Sequence, residues 1–454
     1  MRAWQRVQEW FDGPYVLPLL FVSGLLIRLV LAQFSSGLFF DVSLFRTWSD
    51  RLVARGPGGF FVDYSADYAP GYLYVLLVLG YGWRVLTGAA PTFAVLKLPA
   101  IAADIGLAAL AALLALRLTP PEHGRRTSAA VAAAAILLNP ALILVSAVWG
   151  QVDSVLALLV MAGIYMLAAR PTLLHQVCGV ALLAIALATK PQTVLALPAV
   201  GIVLVYRYFA GDISKTSAVT RRAWRLGLLA LVAAASLIAM FAPFGIGPGE
   251  IPHFYRRVGS VYQFTSLWAF NLWGVAGFYR PDVGAGAVTV GGIAAFYVGL
   301  AAFLAATVLV SVRCWQTLKR HTSPCAVMLF GTAAVTCAAF VFLTRTHERY
   351  LYLAVVALAP FAGDRRWRWP FIILSLCFLV NLHFVYVYFS QHSFPPGGAW
   401  TIQPLYDALF GRGTEASQLK VLSVLASMVY VAVATLGWSQ LERYRRVEPR
   451  PTLT

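Results

Sequence analysis

Residues 325–343 read CAVMLFGTAAVTCAAFVFL, a run of nineteen residues without a single charge. A bilayer core about 30 Å thick needs about 20 mostly apolar residues for each helical span. Similar runs recur along the 454-residue chain, which is 60% hydrophobic and only 12% charged, whereas soluble domains carry about 25% charged residues. The runs are too long and too evenly apolar for the alternating strands of a membrane barrel. The sequence therefore predicts an all-α, polytopic helical membrane protein and excludes a soluble enzyme.

The apolar runs predict about 12–13 transmembrane helices in a single integral membrane domain, 1–454. The N-terminal run resembles a signal peptide, but Arg28 interrupts it and favours an uncleaved first helix. An aromatic-rich loop, 34–70, is expected to carry catalytic residues and precedes core helices at 71–245; a second, 246–288, separates these from C-terminal helices at 289–438. The candidate spans are 15–33, 71–88, 93–116, 128–147, 153–169, 173–189, 191–208, 226–245, 289–312, 325–343, 350–362, 370–389 and 418–438.

The charge distribution predicts the orientation in the membrane. The net charge of +17 fits basic cytoplasmic loops better than a nucleic-acid partner. One set of loops carries 19 Lys and Arg against five acids, and the other carries 11 against ten acids. The first set is therefore expected in the cytoplasm; it comprises 117–126, Arg170, 207–225, 313–320, 364–368 and the C-terminal tail. The second set, with 34–70 and 246–288, is expected on the exoplasmic face.

One conflict remains in this topology. Loop 34–70 is expected outside and loop 117–126 inside, but two spans lie between them, so the two loops should share a side. Either 71–88 is a re-entrant or surface helix, or the count is wrong there. Gly80, Gly82 and Gly88 favour a broken helix.

Polar motifs gather in the loops expected outside. Asp41 soon follows the first span, within FDVSLFRTW at 40–48. A partly buried carboxylate at the membrane boundary can serve as a general base, or it can simply pair with Arg46. Asp67-Tyr68-Ala69-Pro70 either belongs to a site or marks a helix start.

The later motifs carry polar and cationic groups. Gln151 and Asp153 follow Trp149, which could instead be an interfacial anchor. Lys190 and Gln192 sit between two spans, where a lysine can snorkel to the headgroups or meet a phosphate. The remaining motifs are Arg256-Arg257, Phe270-Asn271-Leu272-Trp273, and Arg345-Thr346-His347-Glu348-Arg349 at a helix start, which suits an anion.

Asp104 is the only acid deep inside an apolar run. A carboxylate within the membrane indicates either a functional site or a structural hydrogen bond to a neighbouring helix.

The order and sidedness of these motifs resemble those of the membrane-embedded GT-C glycosyltransferases. The likeness is nearest to the dolichyl-phosphate-glucose glucosyltransferases and to polyprenyl-phosphate-sugar mannosyltransferases of the GPI and bacterial types. It implies a GT-C architecture with Asp41 as the catalytic base. It also implies a donor-phosphate site at His347 with Arg256, Arg257 and Lys190. The supporting or substrate-binding residues would be Arg46, Trp48, Asp67, Tyr68, Gln151, Asp153, Gln192, Asn271, Trp273, Glu348 and Arg349.

The resemblance is incomplete at two places. The family often has two prolines after its Asp-Tyr pair, where this sequence has Ala69 and Pro70, and the glucosyltransferases carry a histidine in the loop occupied here by residues 149–151.

The implied function is inverting transfer of a hexose from a polyprenyl (dolichyl-type) phosphate sugar to a lipid-linked, glycan or protein acceptor. The chain would act in the bacterial cytoplasmic membrane with its active site facing outside, among membrane lipids and without nucleic acid. The chemistry requires no cofactor, no metal ligand set is evident, and a divalent metal is left open. The alternatives are a polytopic transporter or lipid flippase, or a non-enzymatic membrane scaffold; the sequence shows no internal repeat of the kind transporters carry.

Overall fold

The computed structural model describes residues 13–120, 124–169, 172–209, 216–392, 401–413 and 416–444, and these residues are overwhelmingly helical. The predicted all-α class is confirmed. The helices are α1 Val16–Phe34, α2 Phe39–Phe60, α3 Pro70–Thr87, α4 Phe93–Leu118, α5 Arg125–Leu137, α6 Pro140–Ile143, α7 Asp153–Ala169, α8 Leu173–Thr189, α9 Leu197–Phe209, α10 Thr216–Phe241, α11 Ile251–Gly259, α12 Ala295–Lys319, α13 Pro324–Phe342, α14 Tyr352–Leu358, α15 Arg365–His392, α16 Gln403–Phe410, α17 Ser417–Leu436 and α18 Trp438–Leu441.

Shorter elements join these helices. A π-helical turn, Leu144–Trp149, continues α6. The only strands in the described residues are Thr289–Val290 and Ile293–Ala294, an antiparallel pair in which Thr289 faces Ala294. The 3₁₀ turns are Pro191–Leu195, Ala242–Phe244, Leu272–Ala276, Glu348–Leu351 and Ala359–Phe361.

Seven helical segments of the described chain are long and apolar enough to cross a membrane, and a bent pair, α5 with 140–149, makes an eighth. The seven are α1, α4, Arg222–Phe244, α12, α13, α15 and Ser417–Leu441. Three further apolar helices, α7, α8 and α9, are shorter than a full span. The sequence-based number of 12–13 spans included these shorter helices. The predicted span 350–362 contains only the seven-residue α14 and two 3₁₀ turns. Helix α13 is almost entirely buried and forms the centre of the bundle.

Two predicted loops contain helices. The first, 34–70, holds the 22-residue α2, and 246–288 holds the amphipathic α11. Neither helix is apolar enough to register as a span from sequence. The third segment expected outside, 390–417, contains α16, and its residues 393–400 and 414–415 lie outside the described part.

Helices α1 and α4 run antiparallel, and this settles the side of everything between them. Lys97 Nζ in α4 donates to the carbonyl of Ser35, just after α1, at 2.7 Å. The Phe39 and Phe93 rings contact edge to face at 5.9 Å. Residues 35–92 therefore start and finish at the same end of the bundle, here called the site end. Helix α3 is also not among the segments long and apolar enough to span a membrane, which favours a re-entrant or surface helix at 70–87 over a crossing one.

A buried polar network ties α1 to the bend between α5 and α6. Pro140 has no N–H and cannot continue the helical hydrogen-bond pattern. Asn139 Oδ1 accepts a hydrogen bond from the backbone N–H of Ala141 at 3.0 Å. The freed carbonyls of Ile136 and Leu137 accept from the Arg28 guanidinium at 3.1 and 2.7 Å.

The same guanidinium neutralises the carboxylate buried in α4. Arg28 Nε lies 2.7 Å from Asp104 Oδ2, and both side chains are fully buried. Ser146 and Tyr352 also donate to Asp104, each at 2.6 Å. Asp104 is therefore a structural residue that joins α1, α4, the π turn and α14, so the structural reading of this residue holds.

We predict that Cys probes will show that 70–87 does not cross. The five native cysteines are buried or half-buried, so exposed introduced thiols would dominate labelling. In a cysteine-free background, Ser65→Cys and Ala89→Cys should react with an impermeant maleimide from the same side of intact cells. Arg126→Cys, at the opposite end of α4, should react only after permeabilisation. Opposite behaviour of positions 65 and 89 would show that α3 crosses.

We also predict that Arg28→Met destabilises the protein by about 3–5 kcal/mol, because it leaves Asp104 buried without its countercharge. Arg28→Met with Asp104→Asn should recover much of this loss. The measurement is thermal unfolding in detergent. A matched control is Arg412→Met, since the Arg412–Asp407 pair at 3.1 Å has an arginine that is 89% exposed and should contribute at most about 1 kcal/mol. Equal effects at positions 28 and 412 would contradict the assignment.

Candidate active site

A cavity of about 750 Å³ opens at the site end. Its walls come from seven separate stretches of chain. They are the start of α2, the segment before α3, the end of the π turn at Trp149, the α8–3₁₀ junction, the α11 end with its following loop, residues 347–350, and Phe389 in α15. The predicted residues that line it are Asp41, Trp48, Asp67, Tyr68, Lys190, Gln192, Arg257, His347, Glu348 and Arg349. The fold thus brings together residues that are more than 300 positions apart.

Asp41 occupies the first turn of α2, where the helix dipole favours a negative charge. Its Oδ2 accepts a hydrogen bond from Trp149 Nε1 at 2.8 Å. Gly37 makes this approach possible, because its φ is +79° and a Cβ there would lie 2.8 Å from the Trp149 carbonyl oxygen. One carboxylate is therefore fixed at the cavity wall.

A second wall of the cavity is cationic. Lys190 Nζ lies 3.1 Å from Asp153 Oδ1 and 5.3 Å from the centre of the Tyr68 ring. Arg349 Nη1 lies 2.8 Å from Glu348 Oε1, and its Nε lies 3.8 Å from Asp153 Oδ2. Asp153 and Glu348 balance the charges of Lys190 and Arg349. Arg257 therefore leaves this wall basic overall, and His347 adds to the positive charge when it is protonated.

Burial changes the protonation of this wall. Burial lowers the pKa of Lys190 despite the opposing Asp153 charge. Burial and the Arg349 charge lower the pKa of His347, so this imidazole is neutral at pH 7. Burial alone would raise the pKa of Glu348, but Arg349 and His347 outweigh it, and the net pKa is lowered. Glu348 is thus a carboxylate beside a neutral imidazole that can donate one hydrogen bond.

The loop after α11 places His347. Leu267 N donates to the Thr346 carbonyl at 3.0 Å, and residues 267 and 347 pair as a short β-bridge. The imidazole packs edge-on against Tyr262 at 5.4 Å and Tyr350 at 5.3 Å. The aromatic loop therefore forms one side of the cavity.

Two buried polar atoms on the wall have no hydrogen-bond partner within the described chain. They are Gln192 Oε1 and Arg349 Nε. Burying a polar group without a hydrogen bond costs about 1–3 kcal/mol. Gln192 Oε1 is therefore available to a polar ligand, and Arg349 Nε is available as a hydrogen-bond donor while it lies 3.8 Å from Asp153 Oδ2 in an ion pair. Gln151, behind the wall, accepts from Tyr68 OH at 3.2 Å and leaves its own Nε2 without a partner among these residues.

Six predicted site residues do not line the cavity: Gln151 and Asp153 contact its lining residues Tyr68 and Lys190 from behind, and the other four lie elsewhere. Arg46 and Arg256 are exposed, one on the outer side of α2 and the other on α11. Asn271 is fully buried and caps the 272–276 turn through Gly274 N at 3.1 Å. Trp273 Nε1 donates to the carbonyl of Phe342, at the end of α13, at 2.6 Å. The last two secure the loop to α13, which a sequence motif alone does not distinguish from ligand contact.

Arg345 also turns away from the cavity, because its guanidinium makes a two-point contact with buried Asp282 at 2.8 and 3.2 Å. Sequence reasoning missed Trp149 as an Asp41 partner and missed the lining tyrosines 262 and 279. The tyrosines stand in a loop without a recognisable motif. For Trp149 the sequence held one indication of a role in the site, which is its position directly before Gly150-Gln151.

A second cavity of about 260 Å³ adjoins the first beside Gln192 and Tyr262. Its other walls are mostly apolar and include Leu195, Phe340 and Leu343. Val194 on its rim is 46% exposed on the outside of the bundle. The basic wall therefore continues into an apolar chamber. The described residues contain no cluster of three or more potential His, Cys, Asp or Glu metal ligands.

Comparison with solved structures finds similarity to ArnT from Cupriavidus metallidurans in the apo state. The TM-score is 0.48, with 16% identity over 94% of this chain and 77% of that one. The Archaeoglobus fulgidus oligosaccharyltransferase gives TM-scores of 0.43 in the apo form and 0.42 when tethered to an acceptor peptide with the NVT sequon, each at 13% identity. This chain covers 95% and 96% of its own length in these matches and spans 56% of that protein. No family model and no curated protein matches the sequence.

The adjacent residues Arg256 and Arg257 give a matched test of which cationic groups bind a ligand in the cavity. Arg257 lines it and stacks over Phe254 at 5.3 Å, whereas Arg256 does not line it. We predict that Arg257→Gln weakens binding of an anionic ligand about two- to tenfold, the worth of an exposed ionic contact. Arg256→Gln should leave affinity unchanged. Titration with a short-chain polyprenyl phosphate measures both, and equal losses would contradict the placement.

Proposed function

We propose that this protein is an inverting glycosyltransferase that moves a hexose from a polyprenyl (dolichyl-type) phosphate to a hydroxyl-bearing lipid-linked, glycan or protein acceptor. The observation that carries the proposal is one cavity with a carboxylate on one wall and cations on a second wall, adjoined by an apolar chamber. Asp41 and Lys190 mark the two walls.

The cationic wall suits the donor phosphate. A phosphodiester is an anion, and charge builds on it as the sugar departs. Lys190, Arg257 and Arg349 supply charge, and neutral His347 supplies one hydrogen bond. The Nε of Arg349, which makes no hydrogen bond to the described residues, gives the phosphate a buried donor. Held by these groups, the phosphate is a good leaving group without further activation.

The adjoining chamber suits the start of the lipid. Isoprenoid units are apolar and branched, and a chamber of about 260 Å³ accommodates the first isoprene units next to the phosphate. Its rim at Val194 faces outward from the bundle, so the rest of the isoprenoid tail would extend into the bilayer. A soluble nucleotide-sugar donor would gain nothing from this apolar chamber.

Asp41 supplies the base. An acceptor hydroxyl gives its proton to Asp41 as its oxygen attacks the anomeric carbon. The bond from that carbon to the phosphate oxygen breaks, and its electron pair leaves with the lipid phosphate. A single displacement inverts the anomeric centre, and a second carboxylate as in retaining hydrolases is not required.

The sugar itself would lie between the two walls. Aromatic side chains there, Tyr68, Tyr262 and Tyr279 among them, offer faces and hydroxyls for a hexose. Gln192 Oε1 can accept from a sugar hydroxyl. We further propose that the site end faces the exoplasm of a bacterial cytoplasmic membrane, because the loops at the opposite end carry most of the excess positive charge.

A lipid flippase could use the same phosphate contacts. It would need polar groups along a path through the bilayer. The deep carboxylate Asp104 is instead held by three donors from the protein. Its geometry favours a static bundle with chemistry at one end.

We predict that Asp41→Asn lowers turnover about 10²–10⁴-fold, the usual contribution of a general base. Folding should be unaffected, because Asn keeps an oxygen to accept from Trp149. The assay follows consumption of polyprenyl-phosphate hexoses by purified protein with acceptor lipids. Asp63→Asn is the control, an aspartate in the same segment that does not line the cavity. Normal turnover in Asp41→Asn would remove Asp41 from catalysis, and donor binding without any sugar transfer by the native protein would favour the flippase.

A further inference from the structure

We propose that Trp149 is the positioning residue of the site: its indole N–H fixes one oxygen of Asp41 so that the other faces the acceptor hydroxyl. The proposal rests on the proposed function, since it assigns a partner to the same base. The sequence left Trp149 open as part of a polar motif or as a membrane-interface anchor, and the structure shows that it is 1% exposed and lines the cavity.

The hydrogen bond from Trp149 gives the two oxygens of the Asp41 carboxylate different roles. Trp149 Nε1 lies 2.8 Å from Asp41 Oδ2, a well-formed distance for an N–H donor. No described residue donates to Oδ1. A carboxylate with one oxygen anchored and one free holds the lone pairs of the free oxygen, which would accept the proton, in one orientation. A carboxylate without an anchor would rotate about its χ2 bond and sample several directions.

The indole is itself held on several sides. The Tyr386 ring packs against it at 5.9 Å, and the Arg349 guanidinium lies 6.0 Å from its ring centre. Its backbone carbonyl accepts from Leu38 N at 3.1 Å, one residue before α2. Trp149 therefore fixes both the start of α2 and the side chain in its first turn.

The backbone around Trp149 is built for this contact. The residue ends a π-helical turn, a rare form that often occurs at functional sites. Gly150 follows with φ +91°, and a Cβ there would lie 3.0 Å from Val42 Cγ2. Lys97 donates to the Val148 carbonyl at 3.2 Å and steadies the same turn. The turn carries the indole to the start of α2, where an α-helical continuation would not.

The same ring links the two walls. It donates to the proposed base on one side and lies beside the Arg349 guanidinium of the phosphate wall on the other. The spacing between the proton acceptor and the leaving-group site thus depends on one rigid side chain. A misplacement of about 1 Å can reduce a reaction rate about 100-fold.

Two substitutions separate the hydrogen bond from the ring. Trp149→Phe keeps an aromatic ring but removes the N–H. Trp149→His keeps an N–H, since histidine Nε2 occupies the same place in its five-membered ring as indole Nε1. We expect turnover to fall about 10- to 100-fold in Trp149→Phe with donor KM little changed, and to fall less in Trp149→His. If the Phe variant turns over as fast as the His variant or as the native protein, the proposal is wrong.

A matched control tests for a merely structural effect. Trp273 also donates a buried indole hydrogen bond, to the Phe342 carbonyl, but it does not line the cavity. Trp273→Phe should lower the thermal unfolding temperature about as much as Trp149→Phe while turnover per folded molecule stays normal. A similar loss of turnover in both variants would reduce Trp149 to a packing residue.

A double-mutant cycle links the effect to Asp41. If Trp149 acts through Asp41, the Asp41→Asn, Trp149→Phe double variant should be no slower than Asp41→Asn alone. Multiplied losses would show that Trp149 acts separately and would overturn the proposal. Failure of the proposed base looks different, because Asp41→Asn alone would then be active. If Trp149→Phe does not fold, Trp149→His carries the comparison, and a folded but inactive His variant counts against the proposal.

Discussion

The rest of the bundle depends on one fully buried ion pair, Arg28 with Asp104. The proline break between α5 and α6 leaves two carbonyls without helical donors, and the Arg28 guanidinium satisfies both while it neutralises the carboxylate of α4. A buried pair of this kind adds little stability over apolar packing, but losing one partner is expensive. The pair therefore fixes the depth and rotation of α1 against α4 and the bend.

That registration determines where the site end forms. With residues 28 and 104 in contact, the antiparallel helices bring Ser35 next to Lys97 two helical turns further along. The π turn then ends beside the start of α2, and Trp149 reaches Asp41. The bond that holds the proposed base therefore lies on rigid elements braced by the buried pair, although part of the cavity wall is loop.

The electrostatics of the cavity follow from burial as much as from charge count. Lys190 and Arg349 share Asp153, and Glu348 holds Arg349 from the other side. Burial lowers the pKa of both Lys190 and His347, and because the His347 imidazole is neutral, this wall carries less positive charge than its composition suggests. An arriving phosphate would raise both pKa values and strengthen its own binding. The wall is thus most basic when an anion occupies it.

The sequence by itself determined the helical membrane class, since runs such as 325–343 can satisfy their backbone in a bilayer only as helices. It also predicted the charged residues of the cavity lining, because polar residues at the ends of apolar runs have few other places to go. Only the tertiary structure decided that α3 stays on one side, that Asp104 is structural, and that Asn271 and Trp273 secure a loop. Those outcomes depend on which helices touch: a hydrogen bond between residues 76 positions apart, such as Arg28 to Asp104, leaves no periodic signal in either apolar run.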